Sequence, residues 1–379
     1  MKCTIFTMTS GEGHNRIAKA VAEEFERRSV QCKIINIFRH DGIEYRFNDW
    51  GYRFVCERFP RSYDYFWKKL KFRSNDKRYT GIAQKEIERA ADKVAAQVED
   101  CDFFLCVHPY CAVLCDYWKR TGRFGQKVYA LLTDILPHPL WESAIKCDVV
   151  LTPTPHAREQ LMQKGFSSEQ IKVCGFPVDK KFVTRQDKGT ARKQLGLQDK
   201  FTVLVASGGY GIGKNYKVAK LLSGEVQVIC ANGRNKRAFE RTAKLQKRNG
   251  NLVNLGFVDN MDSYMDAADV AVTRAGATTL FECMSKGLPV VIRENAIINE
   301  RENAEVLEKE GCAVRLKRLK DVQQTIARLT EEKRENMRDA GKALTQGKCV
   351  ADLCEFVLRD ASKQSNEISG NRYGDKLEQ

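Results

Sequence analysis

The chain contains no run of about 20 consecutive apolar residues, so no helix able to span a bilayer is expected. Met1-Lys2-Cys3 runs straight into a strand-like stretch, so no signal peptide is expected. Paired CxxC ligand sets are absent. The 14 cysteines follow no spacing repeat, and although Cys101, Cys106, Cys111 and Cys115 cluster, no second ligand pair follows them. They read as reduced cytoplasmic thiols acting as small buried hydrophobes rather than as zinc ligands. No helix-turn-helix, zinc-finger or RNA-binding aromatic signature is visible, which argues against nucleic acid as partner. The first glycine loop is not GxGxxG and lacks a P-loop lysine.

Positive charge is abundant. Sixty-four Lys and Arg against 49 Asp and Glu leave a net charge of +15. That excess fits nucleic acid, an anionic membrane face or a polyanionic substrate, and charge alone does not choose among them. At 379 residues and 42% hydrophobic, the chain can hold two domains, each with its own core.

In the N-terminal half, Thr4–Thr9 reads as a strand, and a loop carrying Gly11, Gly13 and His14 follows. A helix then runs to Arg28, with Ala18, Val21, Ala22 and Phe25 on its apolar face. Strands are expected at Gln31–Ile37, Asp102–Val107, Lys127–Leu132, Asp148–Leu151 and Ile171–Val173, and helices at Ile82–Val98 and Thr154–Lys164. Open α/β sheets bind ligands beyond the carboxyl ends of their strands. That side carries His14, His108, Asp134 and His138. A neutral imidazole at His14 can take a proton from a hydroxyl; its plainer reading is a helix-start cap. Asp134 reads as base, as orienter of His14, or as a loop cap. The stretch Gly51–Arg78 interleaves aromatics with cations, among them Arg53, Arg58, Phe66, Trp67, Lys68 and Lys69. Such a composition suits a membrane interface, each cation contributing roughly 1 kcal/mol at an anionic surface. The alternative is a solvated helix whose rings pack on the core.

Gly175-Phe176-Pro177-Val178 reads as the exit from a first domain and Asp187–Lys200 as a charged linker. Strands at Phe201–Ala206, Val226–Cys230, Leu252–Leu255, Val270–Thr273 and Val290–Ile292 then alternate with helices. After the first of them, a loop from Ser207 through Gly208, Gly209, Gly211 and Gly213 offers amides to a diphosphate. Phe257 and Val258 end another strand, where backbone can pair with a flat base. Ala268–Ile292 is strand, turn, helix and strand. Its turn at Gly276 opens a helix at Ala277, whose N-terminus favours an anion, and Glu282 sits about two turns inside. That carboxylate can accept hydrogen bonds from the vicinal hydroxyls of a ribose; otherwise it is a surface Glu. The expected architecture is α/β, with two Rossmann-like domains, 1–178 and 199–346, across a cleft. A terminal helix, 347–361, should pack back on the first domain, and 362–379 should be a frayed or disordered tail.

Together these residues resemble the GT-B glycosyltransferases, in the group of monogalactosyldiacylglycerol synthases and processive diacylglycerol glucosyltransferases, with MurG more distant. The similarity runs from about Lys2 to Arg359. It rests on Gly11-Glu12-Gly13-His14, on Thr133-Asp134 with His138 and Trp141, and on Gly175-Phe176-Pro177-Val178. Further matches are Ser207-Gly208-Gly209, Gly256-Phe257-Val258, Gly276–Glu282 and Asn299–Asn303. The chain departs from the group's pattern at Arg274-Ala275-Gly276, where Gly-Gly is usual, and at Ile297-Ile298-Asn299-Glu300, where PGQE is usual.

The resemblance implies inverting, metal-independent transfer of a hexose, with no cofactor, from UDP-glucose or UDP-galactose. The acceptor would be diacylglycerol or a glycosyl-diacylglycerol at the cytosolic face of an anionic membrane. It implies His14 or Asp134 as base, Glu282 at the ribose, and Phe257 and Val258 at the uracil. Gly13, Ser207, Gly208, Gly209, Gly276, Ala277, Thr278 and Thr279 would lie along the nucleotide. Asn299, Glu300 and Asn303 would lie at the donor sugar or phosphate. Arg53, Arg58, Phe66, Trp67, Lys68, Lys69, His108, His138 and Trp141 would serve the acceptor and membrane. Two other readings stay open: a polyprenyl-linked or other saccharide acceptor, and a non-catalytic basic membrane- or nucleic-acid-binding protein. The second is disfavoured by the joint presence of His14, Asp134 and Glu282.

Overall fold

The computed structural model describes residues 1–8, 12–37, 65, 87–293 and 298–374. Short β-branched runs form its first sheet: β1 (Lys2–Thr7), β2 (Gln31–Asn36), β3 (Phe103–Cys106), β4 (Lys127–Leu131), β5 (Val149–Thr152) and β6 (Ile171–Val173). Their order is β2-β1-β3-β4-β5-β6. The chain connects them through α1 (Glu12–Arg27), α2 (87–95), α3 (Pro109–Thr121) and α4 (Pro155–Gln163). Every pairing in the sheet is parallel. Parallel strands are covered on both faces, so they read as continuous apolar runs, as in β3, where all four residues are buried.

Two short helices follow, α5 (Lys180–Val183) and α6 (Lys188–Gln194). The second corrects the expectation of a charged linker over Asp187–Lys200. Asp187 caps it by accepting from the Thr190 amide at 2.9 Å. Arg192, 8% exposed, reaches Asp269 at 2.6 Å and Asp199 at 2.7 Å. Arg192 is thus tied inward, while Asp187, Lys193 and Asp199 stay exposed.

The second sheet holds β7 (Thr202–Val205), β8 (Gln227–Ala231), β9 (Leu252–Leu255), β10 (Val270–Thr273), β11 (Val290–Arg293) and β12 (Ala313–Leu316), in the order β12-β11-β10-β7-β8-β9. Helices α7 (Asn215–Leu222), α8 (Lys236–Gln246), α9 (Met261–Ala267), α10 (Ala277–Ser285) and α11 (Ile298–Lys309) cross between its strands. After them come α12 (Val322–Ala327), α13 (Glu331–Thr345) and α14 (Val350–Gly374). In each sheet the chain builds outward in one direction, then returns to the other side of its starting strand. The reversals fall between β1 and β3 and between β7 and β10, where ligands bind in open α/β sheets.

One apolar cluster joins the two halves. Phe176, just before the turn out of the first half, stacks on Phe281 of α10 with centroids 4.4 Å apart and planes 9° from parallel. Helix α14 returns to the first half. The Val350 amide donates to the Val178 carbonyl at 2.9 Å, and the Tyr129 hydroxyl donates to Asp360 at 2.8 Å. Leu353, Cys354 and Val357 of α14 are fully buried in that cluster. The helix continues past Ser362, where a frayed or disordered tail was expected, to Gly374; no proline or glycine interrupts it before Gly370.

Candidate active site

Between the sheets lies a cavity of about 480 Å³. From the second half it is walled by Gly208, Gly209, Phe257, Val258, Thr278, Thr279 and Glu282, and from the first by Asn15, Arg16 and Lys19. Glycine is required where backbone passes closely. A Cβ on Gly211 would stand 1.8 Å from the Asn232 carbonyl oxygen, and Gly211 itself has φ +60°. Gly13 meets Thr278 across the cleft, leaving 3.1 Å between a built Cβ and the threonine hydroxyl. Gly276 caps α10 without a side-chain hydrogen bond. The first amides of that helix are therefore left for an anionic ligand.

Glu282 is 4% exposed and accepts from Arg16 Nη2 of α1 at 3.0 Å. Burial pushes its carboxyl above the usual range, while Arg16 and Lys181 pull the other way. The first half thus supplies the countercharge for a carboxylate on the second. Phe257, 43% exposed, lies under the Arg234 guanidinium, 4.2 Å from the ring centroid.

Ser207, Gly276, Ala277, Asn299, Glu300 and Asn303 do not wall this cavity. The Ser207 hydroxyl is turned inward, bonded to Asn215 and accepting from Arg293 Nη2 at 2.7 Å. Its expected role at the nucleotide is corrected on that ground for the hydroxyl. Glu300 is held by Arg274 in a two-pronged pair at 2.7 and 3.2 Å. The departure at Arg274 is therefore tied to Glu300, the position of Ile297-Ile298-Asn299-Glu300 that keeps the residue usual in PGQE. Asn299 has a buried Oδ1 with no partner among the described residues. Asn303 bridges the halves, donating to Asp134 Oδ1 at 2.9 Å and to the Ala275 carbonyl at 3.3 Å.

His14, His108, Asp134 and His138 do not line this cavity either; in the first half, His14 Nδ1 lies 2.9 Å from the Val107 carbonyl and 2.8 Å from the Thr133 hydroxyl. A carbonyl can only accept, so this network puts the ring hydrogen on Nδ1 and leaves the lone pair on Nε2. Burial pushes His14 down to about 4, so the ring is neutral at pH 7. His108 and His138 take the opposite tautomer. Each caps a helix start, with Nδ1 accepting from the Tyr110 amide at 3.2 Å and the Leu140 amide at 3.1 Å. His108 stands edge-on to His14 with centroids 4.6 Å apart. Burial pushes His108 well down and His138 down to about 3. Asp134 Oδ1 also accepts from the Ile135 amide at 2.8 Å. Even so, burial pushes this carboxyl up to about 6.

Trp141, expected at the acceptor and membrane side, is 1% exposed and packs edge-on against Phe166. That expectation is corrected: Leu140 and Trp141 turn into the core as the proline-held segment closes over α3. Arg53, Arg58, Phe66, Trp67, Lys68 and Lys69, with Gly11 and Ile297, lie outside the described residues. Sequence reasoning missed Arg16, Arg274 and Arg293. Arg274 was signalled by the departure at its turn; Arg16 and Arg293 carry no local signal.

Comparison with known proteins agrees with this fold. The family model of monogalactosyldiacylglycerol (MGDG) synthase matches residues 14–178, and that of the glycosyltransferase family 28 C-terminal domain matches residues 210–353. A processive diacylglycerol beta-glucosyltransferase of Bacillus pumilus (strain SAFR-032) is 26% identical, across 98% of this chain and 97% of its own. Among solved structures, Acinetobacter baumannii MurG is similar with a TM-score of 0.57 at 16% identity, over 95% of this chain and 100% of that one. Anabaena HepE in complex with UDP-glucose is similar with a TM-score of 0.54 at 15% identity, over 96% and 100%. At such identities the structures share the fold, two parallel sheets facing across a cleft. The chain thus has the GT-B fold and is a UDP-sugar glycosyltransferase, similar in its first half to the MGDG synthase model and in its second to the family 28 C-terminal domain.

Proposed function

We infer that the protein transfers a glucosyl or galactosyl group from a UDP-sugar to the hydroxyl of diacylglycerol or a glycosyl-diacylglycerol, with inversion. The observation that carries this reading is that α1 holds His14 and, through Arg16, also reaches the buried Glu282 of the cavity wall. A neutral imidazole stands on α1, and one half-turn on, Arg16 of the same helix reaches the buried carboxylate of α10. The curated relative named above supports the lipid acceptor and the glucosyl donor, and the MGDG synthase model supports a galactosyl one.

In this reading the uracil lies by Phe257 and Val258, and the ribose hydroxyls take Glu282 in place of Arg16. The diphosphate faces the amides of α10 and of the loop from Gly208 to Gly213, donors fixed before charge develops on the leaving group. No metal is assigned a step. His14 Nε2 removes the acceptor proton as the acceptor oxygen bonds to the anomeric carbon and the bond from that carbon to the phosphate oxygen breaks. Attack opposite the leaving group inverts the anomeric centre. Asp134 holds the halves together through Asn303, and His108 and His138 shape the acceptor side. The acceptor is a membrane lipid, and a charge of +15 favours an anionic cytosolic leaflet.

Purified protein offered UDP-glucose, UDP-galactose and UDP-GlcNAc with diacylglycerol should yield a hexosyl-diacylglycerol by mass spectrometry. Its anomeric configuration should be opposite to the donor's by NMR, and the rate should be unchanged by chelator. Transfer only to a polyprenyl-linked acceptor would overturn the acceptor assignment.

A further inference from the structure

Arg293 ends β11, and its side chain is buried, 7% exposed. In the sheet β10 separates β11 from β7, so the side chain crosses the end of β10 to reach the loop that follows β7. There a single nitrogen, Nη2, donates to the Ser207 hydroxyl at 2.7 Å and to Asn215 Oδ1 at 3.1 Å. Ser207 opens the glycine loop and Asn215 begins α7, and the two side chains also bond each other. Asn215 in turn donates to the Ala231 carbonyl at 2.9 Å. One guanidinium therefore fastens both ends of the loop to the body of the sheet. The same group packs against the loop's last glycine. A Cβ on Gly213, whose φ is +129°, would stand 3.0 Å from Nη2, so glycine is what lets the backbone lie this close.

The charge on Arg293 is poorly matched. No carboxylate pairs with it among the described residues. Glu300 favours its charged form but is gripped by Arg274, so two guanidiniums share one carboxylate. Arg293 Nε is buried with no partner among the described residues. Burial, and then the neighbouring Arg274, push Arg293 down to about 10, which still leaves it a cation at pH 7. A buried cation without full pairing costs stability. A neutral amide could tie Ser207 and Asn215 without that cost. An anion held close by lowers it, and the loop that Arg293 fastens reaches the cavity through Gly208 and Gly209.

We propose that Arg293 is a positioning residue of the donor site, which fixes the glycine loop and sets a buried positive charge behind it for the diphosphate of the UDP-sugar. It acts through the loop and not on the reacting atoms. As the bond from the anomeric carbon to the β-phosphate oxygen breaks, the electron pair stays on that oxygen. Charge then grows toward amides and a cation already in place. The assignment rests on the function inferred above, in which the diphosphate meets this loop.

The test is calorimetry of UDP and of uridine with the unaltered chain, Arg293→Lys and Arg293→Gln, alongside thermal melts and kcat at saturating donor. Gln keeps an amide to donate and removes the charge; Lys keeps the charge on a shorter reach. UDP should bind about tenfold or more weakly in Arg293→Gln and about threefold more weakly in Arg293→Lys, while uridine stays within about twofold in both. kcat should fall in the same order, by about tenfold or more in Arg293→Gln. Uridine weakened as much as UDP would make Arg293 a plain scaffold residue and overturn the proposal. So would Arg293→Lys that binds UDP no better than Arg293→Gln. Should the melts show Arg293→Gln unfolded, Arg293→Lys decides: UDP weakened with uridine unchanged supports the assignment, and equal weakening or none overturns it. An unaltered chain that binds UDP normally yet transfers nothing to diacylglycerol would end the acceptor assignment and leave the binding result to stand for Arg293. One that binds UDP no better than uridine would end both.

Discussion

At the scale of single residues, protonation states divide the labour. His14 is kept neutral by burial and pushed down to about 4, with its lone pair on Nε2. His14→Ala should lower kcat by about 10²-fold or more, the usual contribution of a positioned base, while UDP affinity by calorimetry stays nearly unchanged. Equal loss of both would make His14 a scaffold residue. Asp134 is pushed up to about 6, so it protonates first as pH falls. Its ionised form is the better acceptor for Asn303. Transfer should therefore decline below pH of about 6, and Asp134→Asn should shift that limb toward the value near 4 of His14 while slowing the neutral rate. An acid limb that stays put in the variant would assign it to another group. Glu282→Ala should weaken UDP binding by about 1–3 kcal/mol by stranding the ribose hydroxyls; unaltered affinity would exclude the carboxylate from the ribose.

At the scale of elements, the strand-loop-helix units carry the site, and they were the most legible part of the sequence. β9 and β10 lie where apolar runs placed them, at Leu252–Leu255 and Val270–Thr273. Period and turn chemistry are local, so a single sequence displays them. The glycine loop after β7 was legible for the same reason. Gly211→Ala should cost about 1–3 kcal/mol of stability in thermal melts and weaken UDP binding, because the added methyl meets the Asn232 carbonyl at 1.8 Å. An unshifted melt would show that the loop relaxes freely. The segment Asp187–Lys200 read as a charged linker because its tie to the core is not local. Arg192 and Asp269, distant in sequence, satisfy each other instead.

At the scale of the whole molecule, the cleft exists because the two halves are clamped. Phe176 stacks on Phe281, and α14 crosses back to the first half. Phe281→Ala should cost about 3–5 kcal/mol and weaken donor binding alongside, through loss of the clamp rather than of a ligand contact. A melt lowered without any change in donor affinity would separate clamp from site.

The sequence alone determined the two α/β halves, the glycine loops and the candidacy of His14, Asp134 and Glu282, because strand, turn and helix signals depend on neighbours along the chain. Only the tertiary structure decided that Arg16 holds Glu282, that Arg274 closes on Glu300, that Ser207 and Trp141 face inward, and which nitrogen of His14 is bare. Each of these turns on burial and on partners up to 266 residues away, and a pairing set by the packing of one half on the other leaves no periodic trace in the sequence.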